Sequence, residues 1–147
     1  MTDSNERLMQ GVIPYLSIDG AQDAIAFYRK AFGALCHGDV ALMPGTERVA
    51  NASLVINGGV MMLSDTFPEM GHAPAKAGHG FTMQLVVNDG DLWWNRAVQA
   101  GCTVKTPFEK QFWGDRYGQL LDPFGIEWAI NEPSAENREI AKTLKLA

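Results

Sequence analysis

The sequence has few of the features that mark secreted or membrane-spanning proteins. Only two of its 147 residues are cysteines, Cys36 and Cys102, which excludes a dense disulfide framework. No apolar stretch approaches the roughly 20 residues of a membrane-spanning helix. The polar residues 1–10 lack the hydrophobic region of a signal peptide. We therefore expect a cytoplasmic protein in which both cysteines are small apolar side chains at strand starts.

Basic residues are also scarce. Lysine and arginine together number 12, against 17 aspartates and glutamates, for a formal net charge of -5. They are scattered along the chain, whereas nucleic-acid binding needs lysines and arginines clustered against phosphates. We therefore expect neither a nucleic-acid partner nor a membrane partner. The content of 46% hydrophobic and 20% charged residues is that of an ordinary globular protein.

The sequence does contain an internal duplication. Each copy has a short apolar strand, an acidic turn with glycine, an amphipathic helix that ends in glycine, and a run of strands. The first helix is predicted at residues 21–32 before Gly33, and the second at residues 91–100 before Gly101. Two open sheets tend to close around the cleft between them. The repeat therefore predicts an α+β fold of two βαβββ modules around a central ligand cavity.

The module boundaries follow from the same pattern. Residues 66–80 contain Pro68 and Pro74 and have no apolar periodicity, so they are predicted to form a linker. We expect one structural domain in all, divided into a flexible N-terminus at 1–10, a first module at 11–65, the linker, a second module at 81–132 and a C-terminal helical tail at 133–147.

Local signals predict two turns and one helix cap. Asn57-Gly58 favours a type I′ hairpin. Residues 122–125, Asp-Pro-Phe-Gly, favour a type I turn, because the aspartate accepts a local hydrogen bond and the proline presets φ. Ser134 is predicted to cap the tail helix. The apolar stripe of that helix is expected to dock on a neighbouring surface and comprises Ile140, Ala141 and Leu144.

Five short segments together resemble one known family. They are Pro14-Tyr15-Leu16, residues 24–28, residues 61–65, Phe112-Trp113-Gly114 and residues 122–128. In their order and spacing, over residues 11–132, the chain resembles the PhnB/YjdN-like branch of the vicinal oxygen chelate superfamily. That superfamily also contains glyoxalase I, extradiol dioxygenases and bleomycin-resistance proteins. The resemblance implies that the modules pair into a curved mixed half-barrel sheet, and that two chains form a homodimer.

The resemblance also implies where a metal ion would be held. Metal-using relatives bind a divalent ion with His, Gln or Glu side chains from four strands, and those positions correspond here to Ile13, Met62, Thr82 and Ala129. An aliphatic group, a thioether, a hydroxyl and a methyl group do not supply three or four nitrogen or oxygen ligands. We therefore predict no metal site of this kind and no cofactor.

Alternation along the strands predicts which side chains share a cavity face with those four positions. The residues predicted to bind a ligand from that face are Tyr15, Asn51 and Gln84. Trp113 is added because relatives place this segment near the cavity mouth. For Trp113 the alternative is a core or dimer contact.

Two charged residues complete the candidate site. Glu127 is predicted to be catalytic, because burial without a cation would raise its pKa into the range of a general acid or base. The alternatives are a pair with Arg116 or a position facing water at the dimer edge. Arg116 is predicted to bind a ligand carboxylate or phosphonate through its planar guanidinium group. Its alternative is an ion pair with Asp115, Glu109 or Glu127.

Three functions remain open at this point. The first is a metal-independent, homodimeric protein that binds a small molecule. The second is a metal-dependent lyase or isomerase with relocated ligands, drawn from Asp65, His72, His79 and Glu127. The third is an antibiotic-sequestering protein, which would need a strongly acidic groove for a cationic drug, whereas the predicted wall offers one carboxylate.

Overall fold

A computed structural model describes residues 8–71, 73–74 and 80–144. The chain divides into two compact units, Met1–Lys76 and Ala77–Ala147. Each unit is built around one mixed β-sheet and one long helix, which confirms the α+β fold class. Across the described ranges, every helix is too short or too polar to span a bilayer.

The first unit forms a five-stranded sheet. Its elements are β1 (Tyr15–Ser17), α1 (Ala21–Phe32), β2 (Leu35–Cys36), β3 (Ala41–Leu42), β4 (Val49–Ile56), β5 (Gly59–Ser64) and a 3-10 helix (Pro68–Met70). The strand order is β1-β5-β4-β2, with β3 also paired to β4. β1 runs parallel to β5, and the other pairs are antiparallel. The prediction for the first helix is confirmed at both ends.

The second unit forms a four-stranded sheet. Its elements are β6 (Met83–Val86), α2 (Gly90–Ala100), β7 (Thr103–Lys110), β8 (Arg116–Leu121), β9 (Glu127–Glu132) and α3 (Ala135–Thr143). The strand order is β6-β9-β8-β7, and only β6 and β9 run parallel within this described sheet. The parallel pairing of the first strand with the last repeats what β1 and β5 do in the first unit.

The duplication extends to the way each long helix begins. In the first unit the carboxylate of Asp65, just after β5, accepts hydrogen bonds from the backbone N–H groups of Gly20 and Ala21 at 3.1 and 3.0 Å. In the second unit Glu132, at the end of β9, accepts one from the N–H of Gly90 at 2.7 Å. Helix N-termini carry unsatisfied N–H groups and a partial positive charge, so each carboxylate stabilises its own helix.

Both predicted turns are confirmed. Asn57 and Gly58 have φ values of +50° and +78°, as a type I′ hairpin requires. The side chain of Asp122 accepts a hydrogen bond from the N–H of Phe124 at 2.8 Å, and its backbone carbonyl accepts one from Gly125 at 3.2 Å.

The tail helix α3 begins as predicted but attaches differently. The hydroxyl of Ser134 accepts a hydrogen bond from the N–H of Asn137 at 3.0 Å, which confirms the cap. The expected docking of the apolar stripe is wrong for the described residues, since Ile140 is 51% exposed and Leu144 is 74% exposed. Polar contacts of the first helical turn hold the helix instead: Asn137 donates to the carbonyl of Trp113 and to Asp115.

Candidate functional site

The first sheet has one face packed on α1 and one polar face. Tyr15, Met62 and Ser53 lie in one row across β1, β5 and β4, and this row belongs to the polar face. The residues that alternate with this face are buried towards the helix: Leu16, Ile18, Leu54 and Ile56. The predicted division of these strand residues into two faces is therefore confirmed for this sheet.

Two predicted ligand-binding residues belong to β1 and β4 of this sheet. The hydroxyl of Tyr15 donates to the carbonyl of Ala50 at 3.3 Å. The side-chain oxygen of Asn51 is buried and has no hydrogen-bond partner within the described residues. A buried acceptor left unsatisfied costs about 1–3 kcal/mol. A hydrogen-bond donor from outside the first unit would therefore gain the most free energy by binding to the side-chain oxygen of Asn51.

The second sheet also has a polar face, opposite the one that packs on α2. Cross-strand pairing places Gln84, Ala129 and Gln119 in one row. It places Val86, Asn131 and Tyr117 in the next row. Glu127 lies beyond them, opposite Leu121. The residues between these, Trp128, Ile130 and Leu120, are buried on the helix side.

A connected chain of hydrogen bonds crosses this face. The hydroxyl of Thr106 donates to Oε1 of Gln119 at 3.0 Å, and Nε2 of Gln119 donates to the hydroxyl of Tyr117 at 3.0 Å. The ring of Trp113 packs edge to face on Tyr117, with centroids 5.6 Å apart. We call Gln84, Lys105, Thr106, Tyr117, Gln119 and Glu127 the second polar face. The sequence reasoning did not place Lys105, Thr106, Tyr117 and Gln119 on this face, although the two-residue spacing of Tyr117 and Gln119 along β8 was a usable signal.

Glu127 has a cationic partner, but not the one considered from sequence. Its Oε1 lies 2.6 Å from Nζ of Lys105, and the Glu127 side chain is only 12% exposed. Lys105 reaches it from β7, where the pairing with β8 shifts register between Val104 and Thr106. The alternative pair of Glu127 with Arg116 is wrong. The condition for the predicted catalytic role, burial without a cation, is not met, because Lys105 pairs with Glu127. Catalysis itself stays a prediction.

Arg116 is held on the helix side of the second sheet. Its guanidinium group binds both carboxylate oxygens of Asp91 at 2.6 and 3.2 Å and lies 3.4 Å from Glu132. It also stacks over the ring of Phe108, 4.4 Å from the centroid. The hydrogen bond between Arg116 and Asp91 lowers the pKa of Asp91 and raises the pKa of Arg116. Arg116 therefore pairs with Asp91 and Glu132 rather than with Asp115, Glu109 or Glu127, and it does not share a face with Glu127.

The turn that carries Trp113 is anchored by Asp115. This buried carboxylate accepts hydrogen bonds from Asn131 at 3.0 Å, from the N–H of Ser134 at 2.9 Å and from Asn137 at 2.7 Å. Burial raises the pKa of Asp115, but the hydrogen bonds from Asn137, Ser134 and Asn131 outweigh it and leave the pKa below its ordinary value. The anchor fixes the turn against β9, and with it the position of the indole.

The residues at the family's metal positions do not fit a divalent ion. Met62 lies between Tyr15 and Ser53 in its row, and Ala129 lies between Gln84 and Gln119. Neither the thioether nor the methyl group is a ligand for a hard divalent ion, and Ile13 and Thr82 add one hydroxyl. No group of three or more His, Cys, Asp or Glu side chains able to hold an ion occurs within the ranges that the structure covers.

The relocated ligands considered from sequence are only partly within those ranges. His72 and His79 lie outside the described residues. The carboxylate of Asp65 already accepts three backbone hydrogen bonds, the shortest from Val49 at 2.6 Å. That of Glu127 pairs with Lys105.

Comparison with known proteins identifies the class. The model of the Glyoxalase/Bleomycin resistance protein/Dioxygenase superfamily matches residues 14–130, so the chain belongs to this superfamily. It is 42% identical over 129 residues to an uncharacterised protein of Mycobacterium bovis, covering 84% of this chain and 83% of that one.

Two further relatives support the narrower resemblance. Protein YjdN of Escherichia coli is 29% identical over 80% of this chain and 92% of its own length. The structure of the PhnB protein from Bacillus cereus aligns with a TM-score of 0.67 at 16% identity, covering 84% of this chain and all of that one. The sequence similarity to YjdN confirms the resemblance to the PhnB/YjdN-like branch, and the PhnB structure shows the same fold.

Proposed function

We propose that this protein binds a small organic molecule on the second polar face, without the divalent ion of its metal-using relatives. The observation that carries the proposal is the linked set of Thr106, Gln119 and Tyr117 beside the indole of Trp113. Hydrogen-bonding groups held in fixed positions next to an aromatic surface are typical of small-molecule sites.

The charges of the face favour a neutral or zwitterionic ligand. The ammonium group of Lys105 balances the carboxylate of Glu127 at 2.6 Å, so the face offers little net charge. Amide and hydroxyl groups, including the exposed side chain of Gln84, then provide most of the recognition. A strongly cationic drug would find no acidic groove here, which argues against the antibiotic-sequestering alternative.

The polar face of the first sheet offers a separate hydrogen-bonding position. On that face, the buried side-chain oxygen of Asn51 would accept a hydrogen bond from an N–H or O–H group of a ligand. Homodimer formation stays a prediction of the family resemblance, and catalysis by Glu127 stays a prediction from the sequence. Neither is needed for binding.

Two lysines of one strand give a matched test. Lys105 pairs with Glu127, whereas Lys110 is exposed and lies opposite Arg116, on the other side of the sheet. We expect Lys105→Met to at least halve the thermal shift that the best ligand from a metabolite panel gives with the natural protein, because the carboxylate of Glu127 then lies unpaired on the binding face. Lys110→Met removes the same charge and should keep that shift within about 1 °C, since a surface change costs little stability.

The outcome also distinguishes binding from mere folding. Circular dichroism of the two variants without ligand checks that Lys105→Met still folds. If the same metabolites shift both folded variants equally, or if none shifts the natural protein, the proposed binding face is wrong.

A further inference from the structure

A second pocket lies in the first unit, on the side of the sheet that carries α1. It has a volume of about 300 Å³ and is lined by Gln22, Ile25, Arg29, Cys36, Val40, Leu42 and Glu47. Cys36 lies opposite the buried Leu54 in the β2–β4 pairing, so it faces the helix and not the polar face. A volume of this size is at the lower end of the range for small-molecule sites.

Two hydrogen bonds from α1 define the ends of the pocket. Nε2 of Gln22 donates to the carbonyl of Glu47 at 2.7 Å. Two helical turns further on, Nη2 of Arg29 donates to Sγ of Cys36 at 3.5 Å. With a rise of 1.5 Å per residue, these ends are about 10 Å apart along the helix.

The middle of the pocket is apolar and only partly covered. Ile25 is buried, while Val40 and Leu42, which also line the pocket, are 36% and 41% exposed. An apolar chain laid between these three side chains would remove more of that surface from water, which favours binding.

The two ends carry opposite charges. Within the described residues the guanidinium group of Arg29 makes no ion pair, and its one hydrogen bond goes to a thiol sulfur, which is a weak acceptor. The carboxylate of Glu47 receives only a long hydrogen bond from Gln22, at 3.4 Å. A ligand carboxylate would therefore gain a charge-assisted partner at Arg29, while a second anionic group at the far end would be repelled by Glu47.

We propose that this pocket binds an elongated small carboxylic acid, with its carboxylate on Arg29 and its apolar chain between Ile25 and Leu42. The inference is independent of the second polar face, because all of its residues belong to the first unit. An eight-carbon acid matches the length of the pocket, and its ten heavy atoms are consistent with a Kd on the order of a millimolar.

The reactivity of the two cysteines provides a direct readout of ligand binding in this pocket. Cys36 lines the pocket, whereas Cys102 is buried, and burial together with the nearby Asp122 raises the pKa of its thiol to about 12. Iodoacetamide should therefore label Cys36 first. Octanoate at ten times its Kd should slow this labelling about tenfold, because about one molecule in eleven remains free.

Matched probes and variants test the two parts of the proposal. Octylamine and octanedioate should protect Cys36 less than half as well as octanoate, about a twofold difference or more, because of the charges at the two ends. Arg29→Gln should remove the protection. Lys30→Gln, which removes the neighbouring positive charge of the same helical turn, should keep it.

Three results would overturn the proposal. They are equal protection by octanoate and octylamine, protection that persists in Arg29→Gln, and no protection by octanoate at any concentration that leaves the protein folded by circular dichroism.

Discussion

Replacing Gly118 by alanine is expected to lower the free energy of unfolding by about 3 kcal/mol, the upper part of the range for overpacking. A Cβ atom at this position would lie 2.7 Å from Cα of Phe108, 2.8 Å from its backbone nitrogen and 2.7 Å from Cζ3 of Trp94. Two of these atoms are backbone, so no side-chain rotation relieves the contact. Urea unfolding followed by tryptophan fluorescence measures the change.

The crowding at Gly118 has a structural origin. The β7–β8 pairing shifts register between Thr106 and Glu109, so that Pro107 and Phe108 together oppose Gly118. Trp94 of α2 stacks on the ring of Phe108 at 5.4 Å. The bulge and the helix thus meet at the one residue of β8 that has no side chain.

A second glycine provides the control. A Cβ atom on Gly59 would have only the carbonyl oxygen of Ile56 nearby, at 3.8 Å. We expect Gly59→Ala to change stability by less than about 1 kcal/mol, since alanine also restricts the unfolded chain. Equal stability of the two variants would contradict the described packing around Phe108.

Removing the carboxylate of Asp122 is expected to lower the free energy of unfolding by as much as Gly118→Ala does, or by more. Its oxygens accept hydrogen bonds from the N–H groups of Phe124 and Ile126, at 2.8 and 3.0 Å, and from Nε1 of Trp128 at 2.9 Å. Each buried donor left unsatisfied costs about 1–3 kcal/mol, so we expect Asp122→Ala to destabilise the protein by about 4 kcal/mol. The near-ultraviolet circular dichroism should also change, because the indole of Trp128 loses its fixed partner.

An exposed aspartate and an isosteric change serve as controls. Asp39→Ala removes one negative charge from an exposed position and should alter stability by less than about 0.5 kcal/mol. Asp122→Asn keeps one oxygen acceptor but turns its amide donor towards a neighbouring donor. The stability of this variant should therefore lie between those of Asp39→Ala and Asp122→Ala. A stability of Asp122→Ala close to that of Asp39→Ala would show that this turn does not depend on its carboxylate.

Much of the fold was predictable because local signals agreed with one another. The bounds of α1 follow from its apolar spacing and its terminal glycine, and the type I′ hairpin follows from Asn57-Gly58. Alternation also placed Gln84 on the same face as Ala129, as the pairing of β6 and β9 has them. These features depend on neighbouring residues in the sequence or on the two-residue period of a strand.

The contacts that were not predicted depend on bulges and on distant pairs. A register shift near Val104 brings Lys105 to Glu127, 22 residues along the chain, and a simple alternation of β7 does not reveal it. Arg116 meets Asp91 because α2 packs on the sheet, and the two residues are 25 positions apart in sequence. Alternation along β8 predicts that Arg116 and Tyr117 face opposite sides of the sheet. It does not predict the ion-pair partner of Arg116, which depends on how α2 packs on the sheet.

The repeated carboxylate at the start of each long helix is consistent with the duplication. Asp65 and Glu132 come from the last strand of their units and reach the first N–H groups of α1 and α2. Backbone N–H groups bind both carboxylates, and Glu132 also pairs with Arg116. Acidic residues near a candidate site can thus have a structural role. Whether a carboxylate is available to a ligand or a metal ion depends on the hydrogen bonds that it already makes.

Native mass spectrometry of protein purified without chelator tests the central claim most directly. If the second polar face binds a small molecule without a metal ion, freshly purified chains should carry an organic adduct or bind one from the metabolite panel, with far less than one metal ion per chain. A mass that corresponds to one zinc, nickel, iron or manganese ion on every chain would contradict this account.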